Sequence, residues 1–254
     1  MSGPPLSRPA PSTTTPAAPR EWFVLGAILL LGVVVASTCT WAAGEIYEAV
    51  HDDSGLARID WPVLDVMVAH RQPWLDQVVT GFTTVGGPVV SPILVTILMV
   101  ALGWRWRSVM PVVLMVAATA GSVAMTVAGK DLVGRSRPPQ ALAVPPFEVS
   151  PSFPSGHALN ATVIAGIVAY VVLTRSRRPV SRRLVAGLAV AYALLMGLSR
   201  VYLGHHWLTD VLTGWLLGLA WLAVVIAAHQ LVVTTLRYRS VRRPDDPDAR
   251  PPDR

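Results

Sequence analysis

The sequence predicts an all-α, polytopic membrane protein: six transmembrane helices in a bundle, with short interfacial helices between spans 1 and 2. Three observations carry this. Of 254 residues, 52% are hydrophobic and only 14% charged, where soluble domains carry about 25% charged residues. The apolar residues gather into six runs, each near the ~20 residues a helix needs to cross a bilayer. The net charge is +6 and the mean hydropathy +0.50, yet the basic residues stand in short clusters between the runs. That is the placement of membrane-flanking charge, not of a nucleic-acid-binding surface.

The runs lie at about Trp22–Gly44, Thr84–Gly103, Ser108–Ala128, Ala158–Leu173, Leu184–Leu203 and Leu208–Leu236. Residues 1–20 are rich in Pro, Ser, Thr and Ala and read as a disordered tail. The first run is long for a signal peptide and no A-x-A site follows it, so a retained helix is expected. Glu45–Thr83 reads as one or two short helices on the membrane surface. Pro62 and Pro73 each stand where a helix can begin, and Trp61 and Trp74 suit the headgroup level. The fourth run is short and borrows a helix start at Ser155. Residues 237–254, basic and proline-rich, read as a second disordered tail, which leaves 21–236 as the membrane domain. The single cysteine, Cys39, excludes an intrachain disulfide.

Orientation follows from Lys and Arg in the short connections. Arg105 and Arg107, then Arg175, Arg177, Arg178, Arg182 and Arg183, then the "RYRSVRR" stretch and Arg8 and Arg20 all fall on one side of a six-span chain. That side is expected to be cytoplasmic, with both termini. A few basic residues remain on the other side, mainly Arg58, Arg71, Lys130, Arg135, Arg137 and Arg200, and some of these need a reason.

The outer ends of the spans supply one. The third ends in "GKDLVGRSRPP", where Lys130 and Arg137 can share a helix face if the helix continues to Pro138. The fourth opens with Pro154, Ser155, Gly156 and His157. A helix start presents free N–H groups to an anion, Ser155 can cap it, and Gly156 permits close backbone approach. The fifth ends near Arg200. His206 and Asp210 are four apart at the start of the sixth, so the carboxylate can hold the imidazole. Each residue alone has a bland explanation: a snorkelling lysine, a topology charge, a surface pair. Three cations, a helix start, two histidines and a carboxylate on one face outweigh those explanations together.

Written as spacing, the chain reads Lys130-x6-Arg137-Pro138, Pro154-Ser155-Gly156-His157 and Ser199-Arg200-x5-His206-x3-Asp210. This resembles the complete three-part signature of the type 2 phosphatidic acid phosphatase superfamily, which includes membrane lipid phosphatases and soluble vanadium haloperoxidases. The similarity covers about residues 84–233. It implies that the motif-bearing helix ends meet at the outer leaflet. It makes His206 the nucleophile of a phosphohistidine route, Asp210 the holder of its other ring nitrogen, and His157 the acid and then base. Lys130, Arg137, Arg200, Ser155 and the Gly156 amide become the phosphate ligands.

The implied substrate is a lipid phosphate monoester or diphosphate in the membrane: undecaprenyl diphosphate or another polyprenyl diphosphate, phosphatidate or phosphatidylglycerol phosphate. No metal or cofactor is expected, since the motif segments offer only Asp131, Glu148 and Asp210 as hard-cation ligands. The six spans argue against the haloperoxidase branch. A lipid phosphotransferase on the same site and a non-catalytic transporter or scaffold are the alternatives. His205 has the wrong spacing from Asp210 and reads as structural. Arg135, Ser136 and Asp131 either line the site or face the surface. Cys39 and His229 need no functional explanation.

Overall fold

A computed structural model describes residues 19–176 and 178–241. Residues 1–18 and 242–254, which hold most of both expected tails, and Arg177 lie outside the described residues. All regular structure among the described residues is helical: α1 (Pro19–His51), a 3-10 turn (Gly55–Ile59), α2 (Asp60–Ala69), α3 (Pro73–Val85), α4 (Val90–Trp106), α5 (Met110–Val133), a 3-10 turn (Gln140–Leu142), α6 (Gly156–Leu173), α7 (Pro179–Tyr202) and α8 (Leu208–Val241). α1, α5, α6, α7 and α8 are each long and apolar enough to cross a membrane; α3 and α4 are so only when taken together, with a bend of 50° between them, which makes five spans or six.

The apolar run expected over Thr84–Gly103 is observed as the last residues of α3 and most of α4, with the bend between them. The break falls at Gly86-Gly87-Pro88-Val89. Pro88 lacks an N–H and its ring clashes with the preceding turn, and each glycine costs helix about 1 kcal/mol relative to alanine. α3, which covers the end of the 45–83 connector, leads into α4 through this bend and packs against α7. Phe82 packs edge-on to Tyr192 of α7 at 6.1 Å, and Thr83 is buried against Ser199 and Arg200. The first 3-10 turn, α2 and α3 are the short pieces between α1 and α4. Pro62 lies in the first turn of α2, and Pro73 opens α3.

α6 is the central helix and packs on α5, α7 and α8, while α1 lies along α8. Leu159, Val163, Ile167 and Val171 of α6 meet Leu114, Met115 and Ala118 of α5 and Val225 of α8. Lipid tails are as apolar as these side chains, so helix association in a bilayer rests on close packing and interhelical hydrogen bonds. Both are present. A Cβ on Gly214 of α8 would lie 2.8 Å from the Ser155 carbonyl oxygen, so only glycine lets α8 approach the start of α6. Trp221 Nε1 donates to Ala118 O at 2.9 Å and Trp215 Nε1 to Ala193 O at 3.0 Å. His229 is held by Tyr170 at 2.6 Å, which agrees with its non-functional reading. Outward-facing side chains such as Phe23 (77% exposed) and Val180 (76%) are left for lipid.

Candidate active site

α5 ends at Val133, and Gly134 takes the left-handed conformation (φ 60°) that releases its last turn. Lys130 and Arg137 therefore do not share a helix face, contrary to expectation. They meet through the loop before α6. Lys130 Nζ donates to Ser150 Oγ at 3.1 Å and to Pro151 O. Arg137 donates to Ser150 O at 2.7 Å and its Nη2 pairs with Glu148 at 2.7 Å.

α6 starts where the sequence placed it. Ser155 is its cap, accepting from Ala158 N at 3.5 Å, and its own N–H donates to Asp210 O at 3.0 Å. That bond ties the second motif to the third. Gly156 and His157 form the first turn, whose amides have no partner within the helix. His157 lies within electrostatic reach of Arg200, Glu148, His205 and Arg137.

Arg200, in the last turn of α7, is 2% exposed. Its Nη1 donates to Thr83 Oγ1 at 3.1 Å, its Nη2 pairs with Glu148, and its Nε has no partner among the described residues. His206 lies in the turn between α7 and α8 and is 1% exposed. Nδ1 is 3.3 Å from Asp210 Oδ2, and Nε2 is 3.2 Å from Arg137 Nη1. Arginine has only donors, so Nε2 is the acceptor and Nδ1 carries the proton toward the carboxylate. Burial, then Arg137 and Arg200, hold the His206 imidazole well below its ordinary 6.5. It is neutral at pH 7, with its lone pair on Nε2.

The structure thus brings Lys130, Arg137, Ser155, Gly156, His157, Arg200, His206 and Asp210 to one end of the bundle. His205 points away from this constellation: its Nε2 bonds Val144 O at 2.6 Å, and burial followed by Arg200 pushes it down to about 4. Asp131 and Ser136 are exposed, and the Ser136 carbonyl accepts from Ser152 and Trp207.

Sequence reasoning missed three supporting residues. Glu148 was considered only as a possible metal ligand; its carboxylate bridges Arg137 and Arg200. Burial alone would raise it, but Arg200, His206 and Arg137 together pull it down to about 2. Asp60 was one acid among many in the connector, yet it is 2% exposed. Arg135 was left between site and surface, yet it bonds Asp60 at 2.8 Å and Asp210 at 2.6 Å. The only signal for these pairs was an acid in the connector and a second arginine in "GRSR".

Comparison with known proteins follows this geometry. The sequence profile of the PAP2 superfamily matches residues 110–233. Phosphatidylglycerophosphatase B of Bacillus subtilis is 34% identical over 176 residues, 67% of this chain and 83% of that protein. The chain belongs to the PAP2 superfamily. The crystal structure of a transmembrane PAP2-type phosphatidylglycerolphosphate phosphatase from B. subtilis superimposes with a TM-score of 0.70 at 28% identity, covering 78% of this chain and 96% of that one. An undecaprenyl-diphosphatase of Sulfolobus acidocaldarius is 43% identical over 72 residues, 28% of this chain and 30% of that protein. LpxE of Aquifex aeolicus shares the fold at TM-score 0.52 and 23% identity, over 66% of this chain and 94% of that one. The expected all-helical PAP2 membrane fold is therefore the one observed, and the protein is an integral membrane member of the family.

Proposed function

We propose that this PAP2 protein hydrolyses a lipid phosphate through a phosphohistidine on His206. The observation that carries the reading is the environment of one imidazole. His206 Nε2 carries the electron pair and accepts from Arg137 Nη1 at 3.2 Å, among the cations at the helix ends, and Nδ1–H faces Asp210 Oδ2 at 3.3 Å. Nε2 attacks phosphorus in line, and the bond from phosphorus to the lipid oxygen breaks. His157 gives that oxygen its proton. In the second half His157 takes a proton from water, the oxygen attacks phosphorus, the P–N bond breaks and Nε2 recovers its electron pair. Asp210 stabilises the positive ring in between.

Lys130, Arg137 and Arg200 hold the phosphoryl oxygens, with Ser155 and the Gly156 N–H. The buried, partnerless Nε of Arg200 supports this role, because a buried donor gains most from an acceptor that arrives with the ligand. These cations perform the charge neutralisation that a divalent ion performs elsewhere, so the reaction is metal-independent.

A mainly apolar cavity of about 100 Å³, lined by Val85, Leu94, Val95, Leu98, Ile164, Ser91 and Tyr192, lies among α4, α6 and α7. It begins two residues from Thr83, the partner of Arg200, and so supports a substrate with a hydrocarbon chain. Among lipids, the relative with the broader coverage favours phosphatidylglycerophosphate ahead of the polyprenyl diphosphate that the sequence alone put first. Both termini lie in the cytoplasm and the site faces outward.

The test is release of free phosphate by detergent-purified protein from phosphatidylglycerophosphate, phosphatidate, undecaprenyl diphosphate and soluble glycerol phosphate, with and without EDTA. A lipid is expected to be turned over, equally with EDTA. His206→Ala should fold and be inactive, and an acid-labile phosphoenzyme should be trapped only when His206 is present. Substantial turnover by His206→Ala would overturn the route, and EDTA inactivation reversed by a divalent cation would overturn metal independence.

A further inference from the structure

Asp60 has no place in the three motifs. It opens α2, in the connector between the first two spans, yet it reaches the base of the site. Its Oδ1 accepts from Thr209 N at 2.9 Å, and its Oδ2 accepts from Thr209 Oγ1 at 2.6 Å and from Arg135 Nη2 at 2.8 Å. Arg135 turns its other terminal nitrogen to Asp210 Oδ1 at 2.6 Å and Thr209 Oγ1 at 2.8 Å, and its guanidinium lies over Trp207 at 5.5 Å. Asp210 Oδ2 is left for Trp207 N at 3.0 Å and His206 Nδ1. One arginine thus bridges two buried carboxylates, and only one of the two touches the histidine.

We infer that Asp60 and Arg135 form a positioning pair for the His206–Asp210 couple, and that Asp60 sets how much negative charge Asp210 presents to His206. The inference rests on the reading of His206 as nucleophile. The physical argument is charge balance in a buried site. Asp60, Arg135 and Asp210 together carry one net negative charge. When His206 is phosphorylated its ring becomes positive, and this net charge compensates it. Without Asp60, the guanidinium belongs wholly to Asp210. The pair is then neutral, and the carboxylate is a weaker acceptor for Nδ1–H when the ring charges. Arg135 without Asp60 is worse than neither, because an unshared buried charge acts on its neighbours at short range and low dielectric.

A purely architectural role is the competing explanation, since Asp60 also caps the start of α8 through Thr209 N. The two differ in a double-mutant cycle. Asp60→Asn keeps the shape and an oxygen for Thr209 N but removes the charge. It is expected to lower kcat about 10- to 100-fold, the usual cost of losing an orienting partner, with KM nearly unchanged. Asp60→Asn combined with Arg135→Gln restores one net negative charge and is expected to recover kcat above that of Asp60→Asn alone. An architectural role predicts the opposite, a double variant no better than the worse single one.

Kinetics are measured on detergent-purified protein of full length, with thermal unfolding to verify the fold. Arg135→Lys serves if Asp60→Asn does not fold. One ammonium cannot bridge both carboxylates as the guanidinium fork does, so its kcat should fall with KM held. Wild-type kcat in Asp60→Asn, loss confined to KM, or a double variant that falls further would overturn the inference. In the fallback, wild-type kcat in Arg135→Lys would do so. Failure of the underlying reading looks different: His206→Ala would then retain turnover, whatever Asp60→Asn does.

Discussion

Glu148→Gln is expected to tighten inhibition by orthovanadate about 10- to 100-fold. The Glu148 carboxylate bridges the guanidiniums of Arg137 and Arg200, at 2.7 Å from the former. These are the groups assigned to the phosphoryl oxygens, so a tetrahedral anion must displace the carboxylate to reach them. A hydrogen bond between charged groups contributes about 1.5–3 kcal/mol. Glutamine keeps a neutral acceptor oxygen, and the side chain is 31% exposed, so screening removes part of the charged contribution. The two contacts together make about 3–6 kcal/mol, of which the neutral acceptor and screening remove about half; about 1.5–3 kcal/mol of competition is left, and 1.4 kcal/mol is tenfold in affinity. Protonation does not relieve the competition near neutral pH, because the two arginines hold Glu148 at about 2. The assay is the vanadate inhibition constant of wild type and Glu148→Gln at fixed ionic strength, with product inhibition by inorganic phosphate as a second reading. Unchanged or weaker inhibition in Glu148→Gln would show that the carboxylate does not compete with the anion.

Two further outcomes follow from the same structure. His205 is held neutral to about 4 in the folded protein against an ordinary 6.5, and His206 is also pushed down. Between those values the unfolded chain binds protons that the folded chain refuses, so stability falls as pH drops from 6.5 toward 4. Thermal unfolding in detergent should show this, and His205→Asn should flatten part of the slope; a pH-independent Tm over that interval would contradict the neutral burial of both rings. For orientation, single cysteines at Ala141 and Thr174 in a Cys39→Ala background are to be treated with an impermeant maleimide on intact cells. Position 141 should label and 174 should not, and the reverse pattern would put the site in the cytoplasm.

The spans were legible because a bilayer demands long apolar helices and the charges between them mark their ends. The motif residues were legible because each stands at such an end. What the sequence hid was broken regularity and distant partnership. The second apolar run looks continuous, since Gly86, Gly87 and Pro88 are not polar; only their backbone chemistry breaks it. Lys130 and Arg137 suggested one helix face by spacing alone, but Gly134 ends that helix and the loop at 148–151 brings the two together instead. Asp60 and Arg135 are 75 residues apart in sequence, and hydropathy does not encode such a pair. Their pairing became visible only once α2 was placed against α8.

The basic residues left on the outer side also find their reason in this second set of contacts. Arg71 donates from Nε and Nη2 to the Tyr202 carbonyl, at 2.9 and 2.7 Å, and from Nη1 to Leu142 O. A cation there satisfies backbone at the C-terminal end of α7 and opposes its dipole, two residues beyond Arg200. Arg135 is divided between two aspartates, and Arg137 and Arg200 share Glu148. These arginines are held by contacts at the site end of the bundle. A count of outer-side charges that includes them understates the asymmetry that orients the chain. With Arg71, Arg135, Arg137 and Arg200 assigned to the site and its supports, the remaining connections carry their excess of arginine on one side.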